Sequence, residues 1–177
     1  TVSMIPTLQQ YAVDDRDYLR AVIPQAVAQL VPYCTLVDFQ AHLLPLLLAA
    51  ADDTSWKVRQ LVVQFLPLLA TNLIYKHTEQ VSIELTNVGN APREVTDAFI
   101  LEGQPFNLNV LLTQIFTTYT DLLFHDNNLE VRSVGVLVLP QIVLLLSGVI
   151  PQITIDYLAN EDRLLKPVRS VNSDPEM

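Results

Sequence analysis

The sequence predicts an all-α fold of stacked antiparallel helix pairs with one irregular insertion. Three observations predict it. The first is a short recurring pattern, an aspartate followed six residues later by an arginine that sits behind an aliphatic residue. It occurs at Asp14 to Arg20 (behind Leu19), Asp53 to Arg59 (behind Val58) and Asp126 to Arg132 (behind Val131). The arginines are 39 and then 73 residues apart, and a weaker copy, Val168-Arg169, follows after 37. Self-similarity at a period in the high thirties marks a helical repeat array, in which each helix pair must stack on its neighbours. The second observation is helical periodicity. Val58, Leu61, Val62, Phe65, Leu68 and Leu69 fall at i, i+3, i+4, i+7, i+10 and i+11, one apolar face. The third is composition. Half of the 177 residues are hydrophobic and 16% are charged, which argues against disorder as the main state.

Units one and two align without a gap. Ile5-Pro6 matches Leu44-Pro45, Leu8 matches Leu47, and Ala12 matches Ala51. In the second helices Val22 matches Leu61, Ile23 Val62, Val27 Leu66 and Leu30 Leu69. Proline is tolerated in a first helical turn, where its missing N–H has no intrahelical partner. Pro6 and Pro45 therefore predict the starts of first helices, which end before Asp14-Asp15 and Asp52-Asp53. Each turn aspartate can accept hydrogen bonds from the free N–H groups opening the second helix and suits the positive end of its dipole. The arginine one turn on can pair with an acidic neighbour, often in the next repeat. Asp14, Arg20, Asp53, Arg59, Asp126 and Arg132 thus form a structural ladder. Pro67 and Pro140 both lie eight residues after their arginine and predict a kink at one repeat position. In unit one, Pro24 comes only four residues after Arg20.

The 73-residue step exceeds 39 by 34, which predicts an insertion over 75–107. Asn87, Gly89, Asn90, Pro92, Gly103 and Pro105 are turn formers, and Val81 to Leu85 alternates as a short strand does. The alternative is a degenerate extra helix pair, with Glu94 to Leu101 as one short helix. Unit three resumes at Leu108 and runs to Ser147, with Gly148 as its stop. The units are then 1–36, 37–74, 108–148 and a partial fourth over 149–177, starting at Pro151.

Several function classes are disfavoured. The net charge is −9, and the ten basic residues are scattered, whereas a duplex-binding surface needs clustered Lys and Arg. The single cysteine, Cys34, fits a reducing compartment. No basic-then-apolar leader opens the chain, and a start at Thr1, close to a helical pattern, reads as a piece of a longer protein. Residues 134–150 raise the question of a membrane span. They are short for one and interrupted by Pro140, Gln141, Ser147 and Gly148, so a helix buried between neighbouring repeats is expected. A small membrane protein anchored by this stretch is the rival reading. His42, His77 and His125 lack metal-site spacing, and the four glycines are isolated. The paired carboxylates are adjacent on turns rather than opposed across a cleft. No enzyme activity, cofactor, metal or small-molecule substrate is expected.

The repeat unit, with its Leu-Pro start, acidic turn, aliphatic-Arg pair and second helix, looks like a HEAT repeat. Leu43 to Leu73 resembles repeats of the scaffold (A) subunit family of protein phosphatase 2A, most specifically in Asp52-Asp53-Thr54-Ser55-Trp56-Lys57-Val58-Arg59. Met4 to Leu30 resembles the preceding repeat, and 122–146 a following one more loosely. The insertion departs from that family, whose repeats follow closely. The resemblance implies a HEAT-repeat α-solenoid in the cytoplasm, with the nucleus as a second site. It implies a non-catalytic scaffold that holds a phosphatase catalytic subunit and a regulatory B-type subunit. The contacts would come from a ridge of turns at Asp14 to Tyr18, Asp52 to Lys57 and Asp126 to Glu130. Asp14, Asp17, Asp53, Thr54, Trp56, Lys57, Asn127 and Glu130 are the expected partner-binding residues, with Trp56 foremost because interface aromatics carry much binding energy. The competing reading packs Trp56 over its own helix and leaves the acidic residues as a solvated edge. The functional rival is another HEAT adaptor, a nuclear transport receptor or vesicle-coat adaptor.

Overall fold

Helix α1 (Ile5–Ala12) carries Pro6 in its first turn and buries Ile5 and Leu8. The chain turns through residues 13–16 into α2 (Asp17–Arg20) and α3 (Val22–Leu30). A one-turn 3-10 helix, Val31–Tyr33, leads to α4 (Leu36–Asp38), a π turn over Phe39–Leu43 and α5 (Leu44–Ala51). Helix α6 (Trp56–Asn87) follows a second short turn. After the strands β1 (Phe99–Leu101) and β2 (Gln104–Phe106) come α7 (Leu108–His125) and α8 (Leu129–Val149). The structure, a computed structural model, describes residues 4–87, 99–101, 104–106 and 108–149. It is mostly helical, as the all-α class requires.

The short turns fold each helix back on the one before. Helix α6 packs against both α3 and α8, while α5 touches α1 and α7, so second helices line one layer and first helices the other. The aligned sequence positions share the interior: Ile5 with Leu44, Leu8 with Leu47, Ile23 with Val62 and Val27 with Leu66 are all buried. One continuous core runs from Ile5 to Ile142, which is what pairs too thin to own an interior need. Helix α7 lies directly on α5 and α6.

The structure departs from the sequence expectation at several points. Pro45 lies in the first turn of α5, as expected, but the helical run does not start there. Helical structure begins at Leu36, behind Thr35, whose Oγ1 accepts the Asp38 N–H at 3.0 Å. Pro45 then lies inside a helical run. Its ring crowds the carbonyl one turn back and it has no N–H to donate, and the run widens there into the π turn at Phe39–Leu43. In unit one the same chemistry breaks the second helix. Pro24 cannot donate to the Arg20 carbonyl, and α2 and α3 separate at Ala21. Pro67 and Pro140 lie within continuous helices.

The residues 75–87, expected to open the insertion, instead prolong α6 to Asn87. Val81 to Leu85 is helix rather than strand; an alternation of five residues also places its ends at i and i+4, one helix face. Its start is tied to unit one by Lys76, whose Nζ donates to the Pro32 carbonyl at 3.3 Å, one turn after Asn72 Nδ2 donates to the Ala28 carbonyl at 2.8 Å. Phe99–Leu101, at the end of the alternative short helix, is a strand paired antiparallel with Gln104–Phe106, Ile100 opposite Pro105. Helix α8 continues through Gly148 to Val149. Leu68 is exposed, and Val63, Leu66, Ala70 and Leu73 are buried instead, because α6 is covered from two sides. Residues 88–98 and the fourth unit after Pro151, with Arg169, lie outside the described residues.

Gly135 lets α7 and α8 approach closely. A Cβ there would meet Leu123 Cδ1 at 2.7 Å, and the buried Tyr119 hydroxyl donates to the Gly135 carbonyl at 2.7 Å. Among the described residues one helix, Trp56–Glu79, is long and apolar enough to cross a membrane. Here it is the core helix between α3 and α8.

Candidate functional site

The three turns share one construction. In each, the aspartate carboxylate accepts the backbone N–H two residues on: Asp14 from Arg16 at 3.0 Å, Asp53 from Ser55 at 2.7 Å, Asp126 from Asn128 at 2.8 Å. Asx turns of this kind are a local habit of aspartate. In each, the arginine six residues on turns back to its own turn. Arg20 Nη1 donates to the Asp14 carbonyl at 2.7 Å, Arg59 Nη1 to that of Asp53 at 2.6 Å, and Arg132 Nη1 to that of Asp126. The six-residue spacing therefore places the guanidinium where it closes the turn.

The same guanidiniums reach forward to the next turn. Arg20 forks the Asp53 carboxylate, Nε to Oδ2 at 2.7 Å and Nη2 to Oδ1 at 3.0 Å. Arg59 forks Asp126 in the same way at 2.6 and 3.0 Å, and its Nη2 also donates to Asn127 Oδ1 at 3.1 Å. A planar fork matched to a carboxylate gives direction as well as energy. Both pairs are largely withdrawn from water, with side chains 15% and 8% exposed in the first and 13% and 2% in the second. Burial pushes the carboxyls of Asp53 and Asp126 up. The arginine hydrogen bonds, the turn N–H groups and the nearby guanidiniums outweigh it and hold both below the usual carboxylate range. Arg20 and Arg59 are raised in turn, chiefly by their hydrogen bonds to these carboxylates.

The first turn has no described pair before it. Asp14 is forked by Arg16 of its own turn, at 2.9 and 3.0 Å. That hydrogen-bonded guanidinium holds the Asp14 carboxyl down to about 2. The Arg16 guanidinium also lies 5.6 Å from the Tyr18 ring centroid, a cation–π distance.

Around this ladder lies the outer surface of the turns. The Ser55 hydroxyl donates to Asp17 Oδ2 at 3.1 Å, and Lys57 Nζ lies 4.0 Å from the same oxygen, so turns one and two abut. Trp56, the first residue of α6, is 36% exposed. Thr54, Lys57, Asn127 and Glu130 are exposed and Asp17 half-exposed. Of the eight residues expected to meet a partner, Asp53 spends its carboxylate on Arg20 of the pair before and Asp14 on Arg16 of its own turn. The other six line the ridge. Arg16, Tyr18 and Leu129 also stand exposed on it. Arg16 is legible only as the second residue after Asp14, in line with the Asx turn.

Other chemistry is sparse. Among the described residues no group of three or more His, Cys, Asp or Glu could hold a metal ion. Cys34 is buried, its Sγ 3.5 Å from the Val31 carbonyl, and burial pushes its thiol up, away from the reactive thiolate. A cavity of about 10 Å³ among Ala70, Leu112, Phe116 and Ile142 has room for about one water. These features define a class: a helical chain whose turns carry exposed polar and aromatic groups and are locked together by ion pairs. No family model matches this chain, and neither a curated protein nor a solved structure matches it.

Proposed function

We propose that the chain is part of a HEAT-repeat α-solenoid. It scaffolds a serine/threonine phosphatase, holding the catalytic subunit and a regulatory B-type subunit on the ridge of its turns. One observation carries the reading. Trp56 and Lys57 stand on a turn whose geometry is fixed from behind by the fork of Arg20 on Asp53. An aromatic that is already positioned before a partner arrives loses little entropy on binding. The resemblance of Asp52 to Arg59 to the phosphatase scaffold family supplies the partner class. The mechanism is positioning: two subunits on one rigid array meet at a high effective concentration. The protein works in the cytoplasm, and in the nucleus where its partners do.

The test is co-purification. Trp56→Ala should reduce recovery of a phosphatase catalytic or B-type subunit with the full-length protein, while the far-ultraviolet circular dichroism stays the same. Undiminished recovery removes Trp56 from the interface. Recovery of transport or coat components in place of a phosphatase would transfer the ridge to the rival adaptor reading.

A further inference from the structure

The last described pair is left incomplete in two ways, on positions that are filled in the pair before it. Val63 and Pro67 on α6 are buried, as is Ala70. Ala70 lines a cavity with residues of α7 and α8, so this face of α6 looks toward the following pair. The same repeat positions on α8, 73 residues on, are Val136 and Pro140. Val136 is 60% exposed and Pro140 is exposed; beside them Leu137 and Leu144 are 75% and 74% exposed. An open run of large apolar side chains along one helix marks an unmade contact.

The second difference is electrostatic. Arg132 closes its own turn through the Asp126 carbonyl, as Arg20 and Arg59 close theirs. Arg20 and Arg59 then fork a carboxylate of the following turn. Among the described residues no carboxylate pairs with Arg132.

We propose that residues 150–177 of this chain dock on the open side of α8, and that one of Asp156, Glu161 and Asp162 takes the Arg132 guanidinium. The segment follows directly on Val149. It carries the apolar groups the face calls for, among them Ile153, Ile155, Leu158 and Leu164, and three of its carboxylates lie close in sequence. The contact continues an interface already made twice, α3 on α6 and α6 on α8. It stands whatever partner the turns hold, because it uses the stacking face and not the ridge.

The test uses the full chain carrying Leu137→Cys, with Val13→Cys, 82% exposed, as the open reference. Maleimide labelling of L137C should run about tenfold slower than that of V13C or more, as for a site reached only by local opening. The rate should not change with protein concentration, and one of D156N, E161Q and D162N should speed it several-fold. Equal rates for the two cysteines overturn the docking. Protection that grows with concentration gives the face to a second copy and overturns it equally. Failure of all three carboxamide variants to change the rate overturns the pairing with Arg132. Trp56→Ala leaves the L137C rate unchanged, which keeps this outcome separate from that of the phosphatase reading.

Discussion

The turn at Asp14 and the turn at Asp53 present the same carboxylate to the same kind of fork, yet from opposite directions. Asp53 is held by Arg20 from the preceding helix pair, and the bond joins two parts of the chain 33 residues apart. Asp14 is held by Arg16, two residues away, with an arginine side chain 59% exposed. The local version satisfies the carboxylate and joins nothing. The long-range version satisfies it and fixes the offset between pairs. A buried pair of this kind is costly to break, because the partner left behind is a desolvated charge. An exposed pair gives back its partner to water at little loss. The two turns therefore teach that the same motif is structural or incidental according to which arginine fills it.

The comparison can be pressed hardest at the third turn. Arg59→Gln leaves Asp126, 2% exposed, without its fork, and should lower the unfolding free energy by about 3–5 kcal/mol, read as the urea midpoint at neutral pH. A loss as small as that of an exposed pair would show that the turns align without the ladder. Arg20→Gln should cost about 2 kcal/mol, less than Arg59→Gln. Both carboxylates keep a turn N–H, Asp53 that of Ser55 and Asp126 that of Asn128, so the difference rests on Asp53 being the wetter of the two, 8% against 2% exposed.

Acid gives a gentler version of the same break. The carboxyls of Asp53 and Asp126 are depressed in the folded chain. Their contribution is therefore complete above the unfolded value, near 3.8, and is lost as pH falls through the lower folded values. Urea midpoints of the wild type should drop below about pH 4, and those of an Asp53→Asn, Asp126→Asn double variant should drop less steeply. Parallel pH curves would mean that other carboxylates carry the acid sensitivity. Arg16→Gln should have the smallest effect. The urea midpoint should stay where it is, while the Asp14 carboxyl, followed by carbon-13 NMR, rises from about 2 toward the ordinary carboxylate range. A large shift in midpoint would show the first turn to be as structural as the second.

The sequence makes the ladder legible because the geometry is local. An aspartate that caps a turn and an arginine that closes it must lie at one fixed spacing. Which carboxylate the arginine forks next is less legible. Arg20 and Arg59 both reach the following turn, but only the repeat register says so, and Arg16 shows that a nearer arginine can take the place. The alignment of Ile23 with Val62 and Val27 with Leu66 is readable because buried positions repeat with the pairs. One proline signal is incomplete. Pro45 does stand in the first turn of α5, but the helical run begins at Leu36, and a π turn one turn earlier accommodates the ring. The competing signal was present: Thr35 with Asp38 three residues on is a capping pattern. The strand expected at Val81 to Leu85 fails because a five-residue alternation is too short to separate a strand from a helix. The exposure of Leu68 fails because a single-faced template cannot describe a helix packed on two sides. Tyr119 on the Gly135 carbonyl had no signal, since nothing in the spacing of those residues marks a contact between helices.

Arg59 and Asp126 stand 67 positions apart in the chain, against 33 for Arg20 and Asp53, so just over half of what separates them is the extra length between the second pair and the third. The offset of those pairs is thus held by the packing of α7 and α8 on α6 and by this fork, and not by how much sequence lies between them. Doubling the length of a loop costs only about 0.6 kcal/mol in closure entropy, small beside a fork of two buried hydrogen bonds. The joint between Asn87 and Leu108 is therefore the place in this molecule where evolution, or an engineer, can add or remove sequence while the ridge keeps its alignment.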